Sequence, residues 1–141
     1  MLFVAVSTVN AQSVTYIHEN DIMNQFLTME TGAGALTPAA YYNAFHKSYQ
    51  RMITNLEKYD LLIWDDFGLQ PMDDKTRLAM LQILEERYER KSVIIASQLP
   101  IAKWYDYIGN PTLADAIMDR LVANASKIEL KGDSMRQKLK K

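Results

Sequence analysis

Two adjacent acids that follow an apolar run are the residues of this sequence best suited to chemistry. Asp65 and Asp66 come directly after Leu61–Trp64 and precede Phe67 and Gly68. An unbroken apolar run of this kind predicts a strand buried on both faces of a parallel sheet. Open α/β sheets bind ligands beyond the carboxyl ends of their strands. One acid there can hold Mg²⁺ while the other orients or deprotonates an attacking water. The residues alone leave a second interpretation open, a core strand followed by a solvated acidic turn.

A polar residue at the end of a second apolar strand belongs to the same edge of the sheet. The run Ser92–Ala96 predicts this strand, and Ser97 and Gln98 follow it. An uncharged side chain at Gln98 would lie beside the two acids, where it can hydrogen-bond a terminal phosphate or the attacking water. A strand cap is the alternative interpretation.

Strands and helices alternate along the chain, and this order predicts an α/β fold with a mostly parallel sheet and flanking helices. The predicted strands are Ser13–Ile17, Leu61–Gly68, Ser92–Ala96 and Lys127–Leu130. The predicted helices begin at Asn20 or Asp21, span Ala39–Lys58, run from Asp73 or Asp74 to Arg90, span Ile101–Ile108, and begin again at Pro111 or Thr112.

Apolar residues at helical spacing predict the buried stripes of these helices. The stripe of the third helix is Leu78, Leu81, Leu84 and Tyr88, and that of the last is Leu113/Ala114, Ile117/Met118 and Leu121/Val122. Arg120 falls off the last stripe and is therefore expected to be exposed, a position that usually means a surface ion pair.

Length and composition indicate a single domain that can bury a core, because the chain has 141 residues of which 48% are hydrophobic. It has no cysteine, and His18 and His46 lie far apart in sequence, so neither a thiolate site nor a zinc centre is expected. No apolar run approaches the roughly 18 residues of a membrane helix. The apolar run near the beginning of the chain is not preceded by a positively charged side chain, which a signal peptide would have. We expect a cytoplasmic protein without a membrane partner.

Charge is unevenly distributed along the chain. Residues 131–141 carry five basic side chains and one acid, a net charge of +4, and the rest of the chain carries −5 because the total is −1. A basic tail of this kind can contact nucleic-acid phosphates, although many such tails are only solvated chain ends.

Five short motifs follow one another in an order typical of one family. They are Leu61–Gly68, Ala96-Ser97-Gln98-Leu99-Pro100 with Trp104, Gly109-Asn110-Pro111, Ala116–Leu121 and Gly132–Arg136. In these motifs the chain closely resembles the IstB-like ATPases, AAA+ proteins that assist insertion-sequence transposases and are related to the DnaC helicase loader. The resemblance extends from the first strand to Arg136 and implies a P-loop NTPase (AAA+) type of fold.

The resemblance also implies roles for individual residues. Asp65 would be the Walker B ligand of Mg²⁺, and Asp66 the catalytic acid that polarises water. Gln98 would be the sensor-1 residue and Arg136 the sensor-2 arginine that contacts ATP. Arg120 would be the arginine finger that reaches the nucleotide of a neighbouring subunit, where a guanidinium can neutralise charge on the transferred phosphoryl group.

One departure from the family pattern limits these expectations. The P-loop G-x-x-x-x-G-K-[ST] cradles the phosphates in the family, and none of the five glycines here is followed by Lys-Ser or Lys-Thr. The chain is therefore expected to be one partial AAA+ domain over residues 1–141, without the first strand and the P-loop. Residues 1–11 would be the remainder of the helix that follows that loop. Their β-branched content favours a strand instead, and we expect the helix.

Three functions remain open on this basis. The first is a fragment of an ATP-dependent transposition helper that binds ATP and DNA, assists a transposase and assembles as a homo-oligomer, or a helicase-loader-like relative of it. The second is a non-catalytic remnant that keeps DNA or protein contacts. The third is a metal-dependent nuclease based on Asp65 and Asp66, which ranks last because it lacks further acids for two metals. With no P-loop, the chain alone is expected to be inactive as an ATPase.

Overall fold

The computed structural model describes residues 2–6, 12–19, 21–22 and 37–132, and these form a sheet with helices packed against it. The strands are β1 (Leu2–Val6), β2 (Val14–His18), β3 (Leu61–Phe67), β4 (Ser92–Ser97) and β5 (Ala125–Glu129). The helices are α1 (Pro38–Glu57), α2 (Asp74–Arg87), α3 (Trp104–Ile108, preceded by the 3₁₀ turn Ile101–Lys103) and α4 (Pro111–Val122).

Within these ranges the strand order is β2-β3-β4-β1-β5. The pairs β2–β3 and β3–β4 are parallel, whereas β1 runs antiparallel to both β4 and β5. Strand β5 therefore points in the same direction as β4. The predicted α/β fold with a mostly parallel sheet and flanking helices is confirmed.

The expectation of a helix over residues 1–11 is wrong where the structure describes them, because Leu2–Val6 is strand β1. Two neighbouring strands satisfy its backbone groups, with Val4 opposite Ile95 on one side and Lys127 on the other. The β-branched composition of the segment, which favours a strand, agrees with the structure.

The core lies between β3, β4 and the helices that cover them. Its largest fully buried side chains include Trp64, Phe67, Leu62, Ile95, Met80, Ile83, Trp104, Ile108, Ile117 and Leu121. The stripe predicted for α4 is confirmed, since Ala114, Ile117 and Leu121 are buried.

The stripe predicted for α2 is partly wrong. Leu84 is buried, but Leu78 is 54% and Tyr88 38% exposed, while Met80 and Ile83 are buried instead. Apolar residues occupy almost every position from 78 to 84, so periodicity cannot choose the inner face of this helix. Packing against α4 and the sheet makes that choice. The helix also ends at Arg87, before the predicted Arg90.

A buried arginine fixes the amino ends of the central strands. Arg87 is 2% exposed, and its guanidinium donates to the carbonyls of Leu56, Tyr59, Asp60 and Ser92 at 2.9–3.3 Å. These carbonyls belong to the end of α1, the approach to β3 and the first residue of β4. Burial lowers the pKa of Arg87, and the nearby charge of Asp60 raises it. The contact therefore sets the relative position of the two strands whose other ends carry the predicted site.

No described helix combines the length and the apolar character that a membrane crossing needs.

Candidate functional site at the carboxyl end of β3

A bulge in β3 places the two acids. Trp64 pairs with Ile95 and Phe67 with Ser97, so three steps along β3 match two steps along β4. The extra residue lies at Asp65 and Asp66, and Asp66 has a left-handed backbone with φ 58°. Bulges of this kind redirect side chains near functional sites. Here the bulge brings neighbouring residues, which normally point to opposite faces, to the same edge of the sheet.

The two carboxylates face a histidine from the neighbouring strand. His18 is the last residue of β2 and pairs in register with Asp65. Its Nδ1 lies 3.4 Å from Asp66 Oδ2 and 3.9 Å from Asp65 Oδ2. The other oxygen of Asp65, Oδ1, accepts the backbone N–H of Asp66 at 2.8 Å. The three side chains are 32–48% exposed, so a ligand can reach them from solvent.

Gln98 lies close to the acids, as the sequence predicts. It is exposed, and together with Asp66, Phe67, Gly68 and Leu69 it lines a small cavity of about 30 Å³. The structure therefore places Gln98 beside Asp66, and Asp65 precedes Asp66 at the same strand end.

The loops after β3 and β4 are tied to each other beneath this cavity. Ser97 Oγ donates to the carbonyl of Phe67 at 2.5 Å and accepts the N–H of Leu99 at 3.0 Å. Gly68 has φ 88°, and a Cβ at this position would lie 3.0 Å from Leu99 Cβ. A glycine is needed here because both the backbone angle and the close approach disfavour a side chain.

A buried carboxyl lies behind the acids. Glu19 is 1% exposed, and its Oε2 accepts the N–H of Gly68 at 3.2 Å. Its Oε1 has no hydrogen-bond partner in the described residues. Burial is the largest cause that raises the pKa of Glu19 to about 7, and the charge of Asp66 adds to it. The Tyr107 side chain and the Gly68 N–H oppose this rise.

Tyr107, on α3, contacts the loop that follows the two acids. Its hydroxyl donates to the carbonyl of Gln70 at 2.6 Å, and its ring meets Phe67 edge-on at 5.1 Å. Burial, followed by the charge of Glu19, raises the pKa of Tyr107 above its ordinary value. The loop that carries the acids is thus held by Glu19 and Tyr107 from one side and by Ser97 from the other.

Arg120 lies away from this site. It donates to Glu85 Oε1 at 2.9 Å and to the carbonyl of Ala116 at 3.0 Å. With Lys91 and Val93 it borders a cleft near the amino end of β4, the opposite end of the sheet from Asp66. Its side chain is only 27% exposed, so the expectation of an exposed arginine is wrong. The cause is the ion pair with Glu85 across the α2–α4 contact. Arg136 lies outside the described residues.

Sequence reasoning missed three residues of the site, namely His18, Glu19 and Tyr107. The available signal was positional, because His18 and Glu19 directly follow the predicted strand Ser13–Ile17. The sequence offers no second histidine near His18, because His46 lies too far away in sequence to predict a zinc site. The sequence contained no such signal for Tyr107, because its contacts with Phe67 and Gln70 depend on how α3 packs.

The donor atoms at this edge fit a divalent cation. Within the described residues, His18, Asp65 and Asp66 each offer one ligand atom, and these atoms lie within 4.8 Å of one another. Carboxylate oxygens suit Mg²⁺, and an exposed amide such as that of Gln98 suits a phosphate oxygen or a water. The fold and the arrangement of these residues are consistent with an α/β protein of the P-loop NTPase type.

Comparison with known families agrees with this class. The family described as "IstB-like ATP binding protein" matches residues 5–141, and the chain belongs to this family.

Individual relatives cover less of the chain. The insertion sequence ATP-binding protein y4pL of Sinorhizobium fredii is 53% identical over 89 residues, which are 63% of this chain and 36% of that protein. A second Sinorhizobium fredii protein, y4uH, is 49% identical over 60% of this chain and 34% of its own length. The IS21 ATP-binding protein of Pseudomonas aeruginosa is 34% identical over a segment that covers 65% of this chain and 35% of that protein. The matched part of the chain thus spans about a third of the length of these relatives.

Proposed function

We propose that this chain is part of an ATP-dependent helper of insertion-sequence transposition, and that the carboxyl end of β3 is the metal-and-water half of its ATP site. The observation that carries the proposal is the bulge that gathers Asp65 and Asp66 beside Gln98 at the edge where α/β sheets bind ligands. Membership of a family described as ATP-binding supports the choice of nucleotide.

Each residue has a role that its chemistry suits. Asp65 would hold Mg²⁺, and Asp66 would orient the attacking water and accept its proton. Gln98 would hydrogen-bond the terminal phosphate or that water. Bound Mg²⁺ would neutralise charge on the phosphates. Arg136 would contact the nucleotide within the same subunit.

Arg120 would act on the nucleotide of a neighbouring copy in a homo-oligomer. Its position near the amino end of β4 supports action in trans, because it lies at the opposite end of the sheet from its own Asp66. The Glu85 ion pair would have to open, and a partly exposed surface pair of this kind costs about 1 kcal/mol to break.

In a complete ATP site the phosphate cradle would have to be supplied from outside these 141 residues, which contain no G-x-x-x-x-G-K-[ST]. Backbone amides and the lysine of that loop make most of the phosphate contacts in P-loop proteins. The chain alone should therefore bind ATP weakly, with no micromolar dissociation constant in a calorimetric titration with ATP and Mg²⁺.

DNA and a transposase would be the partners of the complete protein. The names of the relatives refer to insertion sequences, and the +4 charge of residues 131–141 suits phosphate contacts. If the tail contributes, truncation after Gln137 should flatten the log–log salt dependence of DNA binding by about one unit for each lost phosphate contact. Equal slopes would remove the tail from DNA binding.

The test of the ATPase proposal is a graft, defined as y4pL in which the segment that corresponds to residues 12–141 of this chain is replaced by those residues, with the 89 aligned positions kept in register. The rest of y4pL would supply the phosphate cradle. We expect y4pL, measured in parallel as the reference, to hydrolyse ATP, and the graft should bind and hydrolyse ATP at a similar rate. A graft that is folded and binds ATP but does not hydrolyse it would favour the non-catalytic remnant instead.

A further inference from the structure

We propose that Glu19 and Ser97 are positioning residues that clamp one peptide unit of the turn after β3, and that this clamp fixes the direction of the Asp66 carboxylate for ATP hydrolysis. Both side chains act through the backbone next to Asp66. The inference rests on the proposed function only in the step that measures hydrolysis.

The turn after β3 has a form that depends on the orientation of one peptide unit. The N–H of Leu69 donates to the carbonyl of Asp66 at 3.2 Å, so Phe67 and Gly68 are the central residues of the turn. Gly68 has φ 88°, whereas Phe67 does not have a positive φ. This combination defines a type II turn. Rotation of the peptide unit between Phe67 and Gly68 would convert it to a type I turn and return Gly68 to a negative φ.

Buried side chains from the two neighbouring strands hold both polar groups of this peptide unit. The Gly68 N–H donates to Glu19 Oε2 at 3.2 Å, and the Phe67 carbonyl accepts from Ser97 Oγ at 2.5 Å. Glu19 directly follows β2 and Ser97 ends β4, the strands on either side of β3. Each of the two side chains is 1% exposed. The hydrogen bond that closes the turn uses neither group of the unit, so these two contacts decide which way the unit faces.

Glu19 is a costly residue for packing alone. Its Oε1 has no hydrogen-bond partner in the described ranges, and a buried polar atom without a partner costs free energy. A leucine has a similar volume and would fill the space without this cost. The contact with the Gly68 N–H gives the buried carboxyl a role that packing does not.

The clamp acts on Asp66 because Asp66 is the first residue of the same turn. Its left-handed backbone, with φ 58°, is a strained conformation that persists only where surrounding contacts impose it. On one side its N–H donates to Asp65 Oδ1, and on the other the clamped unit begins at the next residue. Release of the clamp would let the backbone of Asp66 relax, and its carboxylate would lose its fixed direction beside Gln98.

Amide hydrogen exchange in the ¹⁵N-labelled 141-residue chain tests the clamp without ATP. Glu19→Leu should speed exchange of the Gly68 and Asp66 N–H groups at least about tenfold, because the turn opens more often. Glu19→Gln keeps an oxygen acceptor and should restore both rates to within about threefold. The Gly109 N–H, which donates to the Tyr105 carbonyl, is the internal reference and should not change. Unchanged exchange of Gly68 and Asp66 in Glu19→Leu would overturn the proposal.

Turnover in the graft separates positioning from a purely structural contribution. Glu19→Leu and Ser97→Ala should each lower kcat at least about tenfold, while the dissociation constant for ATP changes less than about threefold. Glu19→Gln should recover most of the lost kcat. Because both side chains act on one peptide unit, the double variant should be at most about threefold slower than the slower single variant. Glu57→Leu, at an exposed position of α1, is the matched control and should keep the kcat of the graft.

The outcomes distinguish this inference from the proposed function. Losses of kcat that multiply in the double variant, or equal losses of kcat and ATP affinity, would overturn the positioning role. An unmodified graft that binds ATP without hydrolysing it would refute the proposed function. The exchange rates of Gly68 and Asp66 would still decide whether the clamp holds the turn.

Discussion

Asp66 combines a strained backbone with an exposed carboxylate. Its φ of 58° is uncommon for a residue other than glycine, although aspartate and asparagine adopt it more readily than most. The N–H bond to Asp65 Oδ1 and the fixed Gly68 on the far side hold it in this conformation. Strain of this kind persists where surrounding contacts impose it, and here it directs the acid toward the edge where a ligand would bind.

Glu19 gives a pH dependence whose sign follows from its environment. Burial raises the pKa of Glu19 from 4.5 to about 7 in the folded protein. Between these values the folded protein keeps a proton that the unfolded chain releases, so stability must fall as the pH rises through this window. Relative to Glu19→Gln, the free energy of unfolding of the unmodified chain should fall by about 1–3 kcal/mol between pH 4.5 and 8.

Denaturant unfolding across this pH range, with a chelator to remove metals, measures the effect. Glu57→Gln is the matched control, because Glu57 is exposed on α1, and this variant should follow the unmodified chain. If Glu19→Gln also follows the unmodified chain at every pH, Glu19 does not carry the raised pKa.

At the scale of secondary-structure elements, the parallel strands are anchored at one end and carry the site at the other. Arg87 joins α1, β3 and β4 through four backbone carbonyls, and Asp60 joins the start of β2 to that of β3. The residues of the site add only a few bonds of their own. The geometry of Asp65 and Asp66 therefore also depends on contacts at the opposite end of the strands.

Replacing Arg87 should destabilise the fold strongly. Arg87→Met retains most of the apolar volume but removes all the guanidinium hydrogen bonds, and a bond to a charged group contributes about 1.5–3 kcal/mol. The Leu56 and Asp60 carbonyls keep the N–H groups of Tyr59 and Ser92 as donors. We expect a loss of at least about 3 kcal/mol in the free energy of unfolding. Chemical denaturation measures it, with Arg90→Met as the control, because Arg90 is exposed just beyond the same helix and should change stability by less than about 0.5 kcal/mol. Equal effects of the two variants would show that the buried guanidinium does not hold the strands.

The elements themselves were largely predictable, because each has a simple local pattern. β3 and β4 are short apolar runs, and α4 has apolar residues at one helical spacing. The face of α2 was not predictable, because its apolar residues cover more than one face and only packing selects among them. The bulge was not predictable either, since it depends on how β3 and β4 pair. Without the bulge, alternation along the strand would place Asp65 and Asp66 on opposite faces.

At the scale of the whole molecule, the two carboxylates of the proposed catalytic site lie far from Arg120, the proposed arginine finger. Asp66 lies at the carboxyl edge of the sheet, and Arg120 lies near the amino end of β4, paired with Glu85. A site completed between copies accounts for this separation. The sequence motifs predicted both residues, but only the fold shows that they lie at opposite ends of the sheet.

Mixing two inactive variants tests completion in trans. In the graft, Asp66→Asn and Arg120→Ala should each abolish ATP hydrolysis, because one removes the proton acceptor and the other the charge that stabilises the transferred phosphoryl group. When the two are mixed, some interfaces regain an intact Asp66 opposite an intact Arg120, and partial activity should return. Lack of recovery in an assembly shown to be intact by light scattering would exclude Arg120 from this role.

The most direct test of the account is the effect of Asp66→Asn on ATP binding and turnover in the graft. Asparagine keeps the size of the side chain and tolerates the left-handed backbone, so the site should remain folded. The amide cannot accept a proton from water, and turnover should fall at least about 100-fold while the dissociation constant for ATP changes less than about threefold. Turnover within a few-fold of the unmodified graft would contradict the assignment of the β3 end as the hydrolytic site.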